Sequence, residues 1–230
     1  MKNEYVTIIT DVEAFQERND EILSDTDYSY VKNVIARLKD ALYDNKDTAA
    51  LCAPQIGEHT RIFIVRNGQK DETRFKAFLN PIIISAKGLH MSREANISFP
   101  NKQFIIPRRN EVHVAYQTPD GRVTSESFLG AYAEVVQQMI EMLDGITLFD
   151  YGLDLDNVGG PNAFDKATQK DKVQVIQMYL NQLKQYNSQL ADEIENDPVL
   201  NLMNKSIEFN KGIILGDIKP ILNDAGASMT

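Results

Sequence analysis

Between residues 28 and 44 apolar side chains recur at Val31, Val34, Ile35, Leu38 and Leu42, with charged residues on the intervening positions. This is the 3.6-residue period of a helix with one buried face, and it predicts a helix there. The stretch "AALCAPQIGEHT" (49–60) breaks the period with turn-forming residues. Arg61 to Asn67, "RIFIVRN", is a short β-rich run ended by Gly68. "FKAFLNPIIIS" (75–85) is a further strand region in which Pro81, lacking an amide hydrogen, predicts a break or an edge. After "QFIIP" (103–107), Val112, Val114 and Tyr116 alternate with His113 and Ala115. "TPDG" (118–121) then supplies a turn, because Pro presets φ and Gly accepts positive φ. A hairpin follows from that pattern. Beyond Gly130 the period becomes helical through Val136, Met139, Ile140 and Leu143, and Gly145 stands where a helix C-terminus places its left-handed residue.

The composition changes after "VGGPNAF" (158–164), which is expected to link a domain over residues 1–157 to a helical extension over 165–230. Residues 165–195 hold no Gly or Pro, and their apolar positions are Val173, Ile176, Leu180, Leu183, Leu190 and Ile194. These fit heptad a and d positions with Asn187 on the missing a, a place where Asn sets register in coiled coils. Two readings stay open: an oligomerising coiled coil, or a helix lying against the first domain. Pro198 ends the pattern, and the tail carries apolar clusters at Val199/Leu200/Leu202, Ile213/Ile214/Leu215 and Ile218/Ile221/Leu222, expected to be docked in part.

Charge narrows the classes of function. A net charge of −9 speaks against nucleic acid and anionic membranes as partners, since phosphate contacts need clustered Lys and Arg. The one basic run, Pro107-Arg108-Arg109, is expected to cap a strand. No apolar stretch has the length of a membrane span, and the amino-terminal residues lack the apolar run of a signal peptide. Cys52 is the single cysteine, and His59, His90 and His113 share no metal-ligand spacing, so a reducing, cytoplasmic-type setting is expected.

Three blocks taken together carry a resemblance. "LCAPQIG" (51–57) resembles the first motif of peptide deformylases, "REANISFPNKQFIIPRRNEVHVAYQTPDG" (93–121) their second motif and the strands after it, and "QQMIEMLDGITLFDY" (137–151) their third. Order and spacing agree over roughly residues 8–152. The resemblance implies an α+β, peptide-deformylase-like fold with antiparallel or mixed strands around a central helix, here followed by the helical extension. It also implies a chemistry in which a divalent Fe or Zn, held by one Cys and two His, activates water to hydrolyse an N-formyl group, with a Glu as general acid/base.

Position by position, the resemblance puts Asn96 at the Cys ligand, Gln138 and Met142 at the two His, and Met139 at the Glu. Gln55 matches the oxyanion Gln, and the backbone of Ile97 keeps its expected place. Glu141 matches the motif's Asp. Neutral amides and a thioether suit neither Zn nor a hard cation, so no metal or other cofactor is expected, and the two methionines are expected to fill the vacated volume. Cys52 lacks an assured base, His59 lying beyond the Gly57 turn, and is expected to be a buried hydrophobe. Glu94 and Glu141 are expected to bond the loop to the helix, not to act as a hydrolytic pair. The resulting expectation is a protein that is not an enzyme, serving as a structural or interaction subunit. It would associate with protein partners, as a homo- or hetero-oligomer, through Val173, Ile176, Leu180, Leu183, Asn187, Leu190 and Ile194. Phages carry deformylases, so a virion component is one expected home. The alternatives are a cleft that binds Met-like peptide N-termini without cleaving them, and, last, a hydrolase with rearranged ligands.

Overall fold

The structure, a computed structural model, describes residues 6–23, 26–66 and 75–196. The chain divides into two compact units that part between Gly152 and Leu153, upstream of the boundary expected at residue 157. In the first unit, helix α1 (Tyr28–Asp44) starts at Asp27, whose carboxylate accepts from the Ser29 amide at 2.8 Å and so satisfies one of the orphan N–H groups of the first turn. Strands β1 (Ala50–Cys52), β2 (Ile62–Arg66), β3 (Phe75–Glu94), β4 (Phe104–Gln117) and β5 (Val123–Leu129) pair antiparallel in sequence order. Helix α2 (Ala131–Leu143) and the short α3 (Leu148–Tyr151) complete the unit. The class is α+β, with a helical carboxy-terminal part, as the family resemblance implies.

The run "RIFIVRN" shows why the sheet is covered on both faces. Along a strand successive side chains point oppositely. Ile62 and Ile64 join Val31, Val34, Leu38 and Leu42 of α1, whereas Phe63 and Val65 join Phe78, Val112, Val114 and the α2 residues Val136, Met139 and Leu143. Burying a side chain of this kind stabilises by about 1.5–3 kcal/mol, so the two clusters fix the order of layers, with α1 on one face and α2 on the other.

The break expected at Pro81 is a bulge in a continuous strand. The β3–β4 register shifts between Leu79 and Ile82 and again between Ile83 and Ser85. Asn80 takes a φ of 47° there. Its amide brackets Ile22, accepting from the backbone N–H at 2.9 Å and donating to the carbonyl at 2.8 Å. Proline is tolerated because a bulge leaves a residue outside the ladder. The 118–121 hairpin turn forms as expected, with Gly121 at φ 83°.

In the second unit a short strand β6 (Leu153–Asp154) and a 3-10 turn (Leu155–Val158) lead to α4 (Pro161–Lys166), α5 (Gln169–Tyr186) and α6 (Ser188–Asn196). Residues 158–164 are therefore folded, contrary to the linker expectation. Gly159 and Gly160 turn the chain at positive φ, Pro161 opens α4, and Phe164 is buried with the Lys172 ammonium 5.7 Å from its ring centre. The continuous heptad helix is also corrected. Asn187 leaves helical geometry at φ −151° and ψ 94°, and its side-chain oxygen accepts from the Leu190 amide at 3.0 Å, starting α6. Leu180, Leu183 and Ile194 are buried within the chain by the packing of α5 on α6, while Val173, Ile176 and Leu190 stay partly exposed. Pro198 and the apolar clusters between residues 199 and 222 lie outside the described residues. No helix among the described residues is long and apolar enough to cross a membrane.

Helix α2 ends in a Schellman motif, with the Ile146 amide donating to the Glu141 carbonyl at 2.9 Å and the Gly145 amide to the Met142 carbonyl at 3.3 Å. Gly145 has φ 80°, and a Cβ there would lie 2.9 Å from the Glu17 carbonyl carbon and 3.0 Å from the Gln16 oxygen. Both the left-handed strain and this backbone contact oppose a side chain. Gly145→Ala is expected to lower unfolding stability by about 2 kcal/mol or more in denaturant melts, and a neutral substitution would show that the Gln16–Arg18 segment yields freely.

Candidate functional site

Four segments of the first unit converge on one cluster of polar side chains. The turn after β1 is set by Pro54 in the first turn of a 3-10 helix (Ala53–Ile56) and by Gly57 at φ 77°, which ends it. This places Gln55 wholly in the interior, where its side-chain oxygen accepts from the Cys52 amide at 3.0 Å and from the Cys52 thiol at 3.3 Å. The Gln55 amide nitrogen donates to Asn96 Oδ1 at 3.0 Å and to Ser98 Oγ at 3.1 Å. Asn96 forms an Asx turn after β3, its Oδ1 also accepting from the Ser98 amide at 2.8 Å. Asn96 Nδ2 in turn donates to Gln138 Oε1 at 2.9 Å and lies 3.2 Å from Met142 Sδ. Gln138 Nε2 donates to Glu94 Oε2 at 2.8 Å.

Arg108 terminates this series. Only 1% of its side chain is exposed, and it donates from Nε and Nη2 to the two Glu94 oxygens at 2.6 and 2.9 Å. Nη1 reaches both Glu141 oxygens at 2.7 Å and the Tyr151 hydroxyl at 2.9 Å. Burial alone would lower the guanidinium pKa, but the Glu141 charge and the bond to Glu94 outweigh it and hold the group charged, well above its ordinary range. Burial, reinforced by the Glu141 charge, pushes the Tyr151 phenol far up, so it stays a neutral donor to Glu141. Arg108 thus corrects the expectation that the basic run caps a strand: it lies inside β4, in phase with the buried Phe104 and Ile106. That alternation was the signal that could have found it. Glu94 and Glu141 do bond loop to helix, and they do so through this third side chain.

The structure therefore brings together Gln55, Asn96, Gln138 and Met142. Met139, 2% exposed, and Met142, 1% exposed, belong to the apolar cluster under α2 with Phe15, Phe63 and Phe99. Cys52 is fully buried, and burial raises its thiol to about 12 despite its bonds with Gln55. His59 lies beyond the Gly57 turn, and its backbone carbonyl accepts from the Asp20 amide. Above the amides opens a cleft of about 800 Å³ whose lining includes Ala49, Ile97, Val135 and Met139 beside Gln55, Asn96 and Gln138. Val173 to Ile194 belong to the second unit.

Antiparallel strands closed by a helix bearing the third motif define a deformylase-type fold, and the comparisons agree. The polypeptide deformylase family model matches residues 8–157, and the chain belongs to that family. A peptide deformylase of Karelsulcia muelleri is 30% identical over 128 residues, covering 55% of this chain and 67% of the relative. The solved peptide deformylase of Thermotoga maritima superposes with a TM-score of 0.58 at 25% identity, over 64% of this chain and 97% of that one. A protein of synechococcus phage S-SSM7 shares the fold, with a TM-score of 0.57 and 24% identity over the same 64% of this chain and 97% of its own. These matches overturn the expectation of a protein outside the enzymes. The family is an enzyme family, and the named relatives carry the enzyme's name.

Family membership implies a divalent metal, and the donors present do not fit one. Both lone pairs of Asn96 Oδ1 already accept N–H groups, and Gln138 Oε1 accepts from Asn96. Both Glu94 oxygens face Arg108. Thiolate, imidazole or free carboxylate would be required. Among the described residues no three His, Cys, Asp or Glu side chains are grouped to hold an ion.

Two outcomes follow. Arg108→Met leaves two carboxylates without their cation and is expected to cost about 3–5 kcal/mol at neutral pH. A deficit in thermal melts well below this range would contradict the charge argument. Cys52 is expected to resist a thiol-disulfide reagent at pH 8 in the native protein and to react fully after denaturation.

Proposed function

We propose that the cleft recognises the amino-terminal end of a peptide. The observation that carries the reading is part of the lining: Ile97, Val135 and Met139 lie beside the amides of Gln55, Asn96 and Gln138 in a cleft of about 800 Å³, which charged residues including Asp44, Lys46, Arg93 and Glu134 also line. Pockets that bind small or extended ligands combine such an apolar wall with a few fixed polar groups, and a methionine-like side chain is the complement of this one. The relatives' name, which denotes action on peptides, supports the same ligand class. The polar groups here orient one another, so the cleft is formed before any ligand arrives.

The test is a thermal-shift titration with formyl-Met-Ala-Ser and with Met-Ala-Ser, with formate release followed in the same samples as an independent readout of hydrolysis. Ligand at about 100 times Kd stabilises by about 2.7 kcal/mol, which is expected to raise Tm by roughly 5–10 °C. Ile97→Asp, which puts a charge on the apolar wall, is expected to abolish the shift. No shift with either peptide at millimolar concentration would refute the reading.

A second reading assigns association with protein partners to the carboxy-terminal unit. It is favoured by α5, which leaves Met178 66% and Tyr186 48% exposed and Val173 and Ile176 in part. Contiguous exposed apolar side chains mark contact surfaces, and this reading requires Met178 and Tyr186, about two turns apart on α5, to form one. Light scattering across a hundredfold dilution is expected to show an oligomer that Met178→Glu dissociates, and a monomer at every concentration would remove the homo-oligomeric form of this reading.

A further inference from the structure

The side chains at the four positions where the family's metal centre would lie do more than lack ligand chemistry, for three of them belong to one directed series of hydrogen bonds. The direction is set at one end by a backbone group. The Cys52 N–H can only donate, so it fixes the Gln55 oxygen toward itself and the Gln55 nitrogen toward Asn96. Asn96 must then present its oxygen to Gln55 and to the Ser98 N–H, and its nitrogen to Gln138. Gln138 presents its oxygen to Asn96 and its nitrogen to Glu94, which Arg108 holds by both oxygens. Turning any one amide by 180° would set donor against donor and acceptor against acceptor. Such a series has one low-energy arrangement, and every member of it is at least partly withdrawn from water.

We propose that this amide series supplies the cross-link that a bound metal ion would otherwise give, so that the cleft is assembled and held without one. The segments it ties are the turn after β1 through Gln55, the loop after β3 through Asn96, and α2 through Gln138. Met142 and Met139 complete the substitution on the apolar side, where they pack with the core under α2. The three residues at the ligand positions, Asn96, Gln138 and Met142, carry no charge. A dication entering here would have to break the Asn96 pairs, and it would meet a carboxylate already neutralised by Arg108. Gln55, Asn96 and Gln138 are accordingly positioning residues of the cleft. This inference stands independently of peptide binding, since it concerns how the cleft is held.

Two measurements on the full chain test it. In the first, the wild-type protein is melted with EDTA, with 1,10-phenanthroline, and with equimolar Zn²⁺, Ni²⁺ or Fe²⁺ under anaerobic conditions, and metal content is read by native mass spectrometry. The expected result is a Tm unchanged within about 1 °C and no bound ion at stoichiometric level. A chelator-induced fall in Tm, or a retained ion, would overturn the proposal. In the second, Gln55→Leu, Gln138→Leu and the double variant are compared. Gln55→Leu strands the buried Cys52 N–H and frees Asn96 Oδ1 of one donor, and Gln138→Leu removes the acceptor of Asn96 Nδ2; each is expected to lower Tm by roughly 3–10 °C, with the double variant losing clearly less than the sum. Strictly additive losses would mean that the bonds act separately and that no connected series exists. If these variants do not fold, the wild-type melts still decide the matter.

Discussion

The buried guanidinium of Arg108 is the interaction on which the rest of the site depends. Two carboxylates, Glu94 and Glu141, stand at the end of β3 and on α2 with this one cation between them. Taking a carboxylate out of water costs several kcal/mol, and a guanidinium with bidentate geometry can offset that cost where a lysine ammonium could not. Because Arg108 uses one edge for Glu94 and Nη1 for Glu141 and Tyr151, it also fixes the distance between the loop carrying Asn96 and the helix carrying Gln138. The amides then fall within bonding range of one another. Electrostatics sets the spacing and the neutral hydrogen bonds refine it.

The layers of the first unit were legible in the sequence because each rests on a period that one face of one element imposes. Val31, Val34, Leu38 and Leu42 mark the inner face of α1, and the unbroken apolar run of β2 marks a strand covered on both sides. Gly145 was legible because its position follows from chain geometry alone. Arg108 was not, since a basic pair after an apolar run suggests a solvated strand end. Its partners are 14 and 33 residues away along the chain, so no local pattern carries them. Asn187 misled for a related reason. An Asn can hold register inside a coiled coil or begin a new helix by accepting from the amide three residues on, and sequence spacing is the same in both cases. The tertiary partner decides, and here it is α6 folding back on α5.

The activity expectation failed at a different link. Missing ligands were read directly from residues 96, 138 and 142, and the structure puts those residues together as the resemblance implies. The inference from absent ligands to a protein outside the enzymes went further than residue identities allow, because class is carried by the whole matched region, residues 8–157. Family and site chemistry are separate statements. The first follows from similarity over the fold, and the second from which atoms face which.

That separation clarifies why the replacements at the site form a set. Putting a thiol at position 96 alone would remove the oxygen that accepts from Gln55 and Ser98, leaving two buried donors without partners. Putting an imidazole at 138 alone would keep one acceptor and one donor for Asn96 and Glu94, but on a rigid ring with a different reach from the Gln138 amide, so the two bonds would have to be made from other points. Changing 142 alone would place a polar ring among Phe15, Phe63 and Phe99. Each reversal is unfavourable while the others remain, for a buried polar group that loses its partner costs about 1–3 kcal/mol and charged groups cost more. A site of this kind is therefore stable against piecemeal return to thiol and imidazole. Its chemistry is a property of four residues acting together, anchored at one end by a backbone amide and at the other by Arg108.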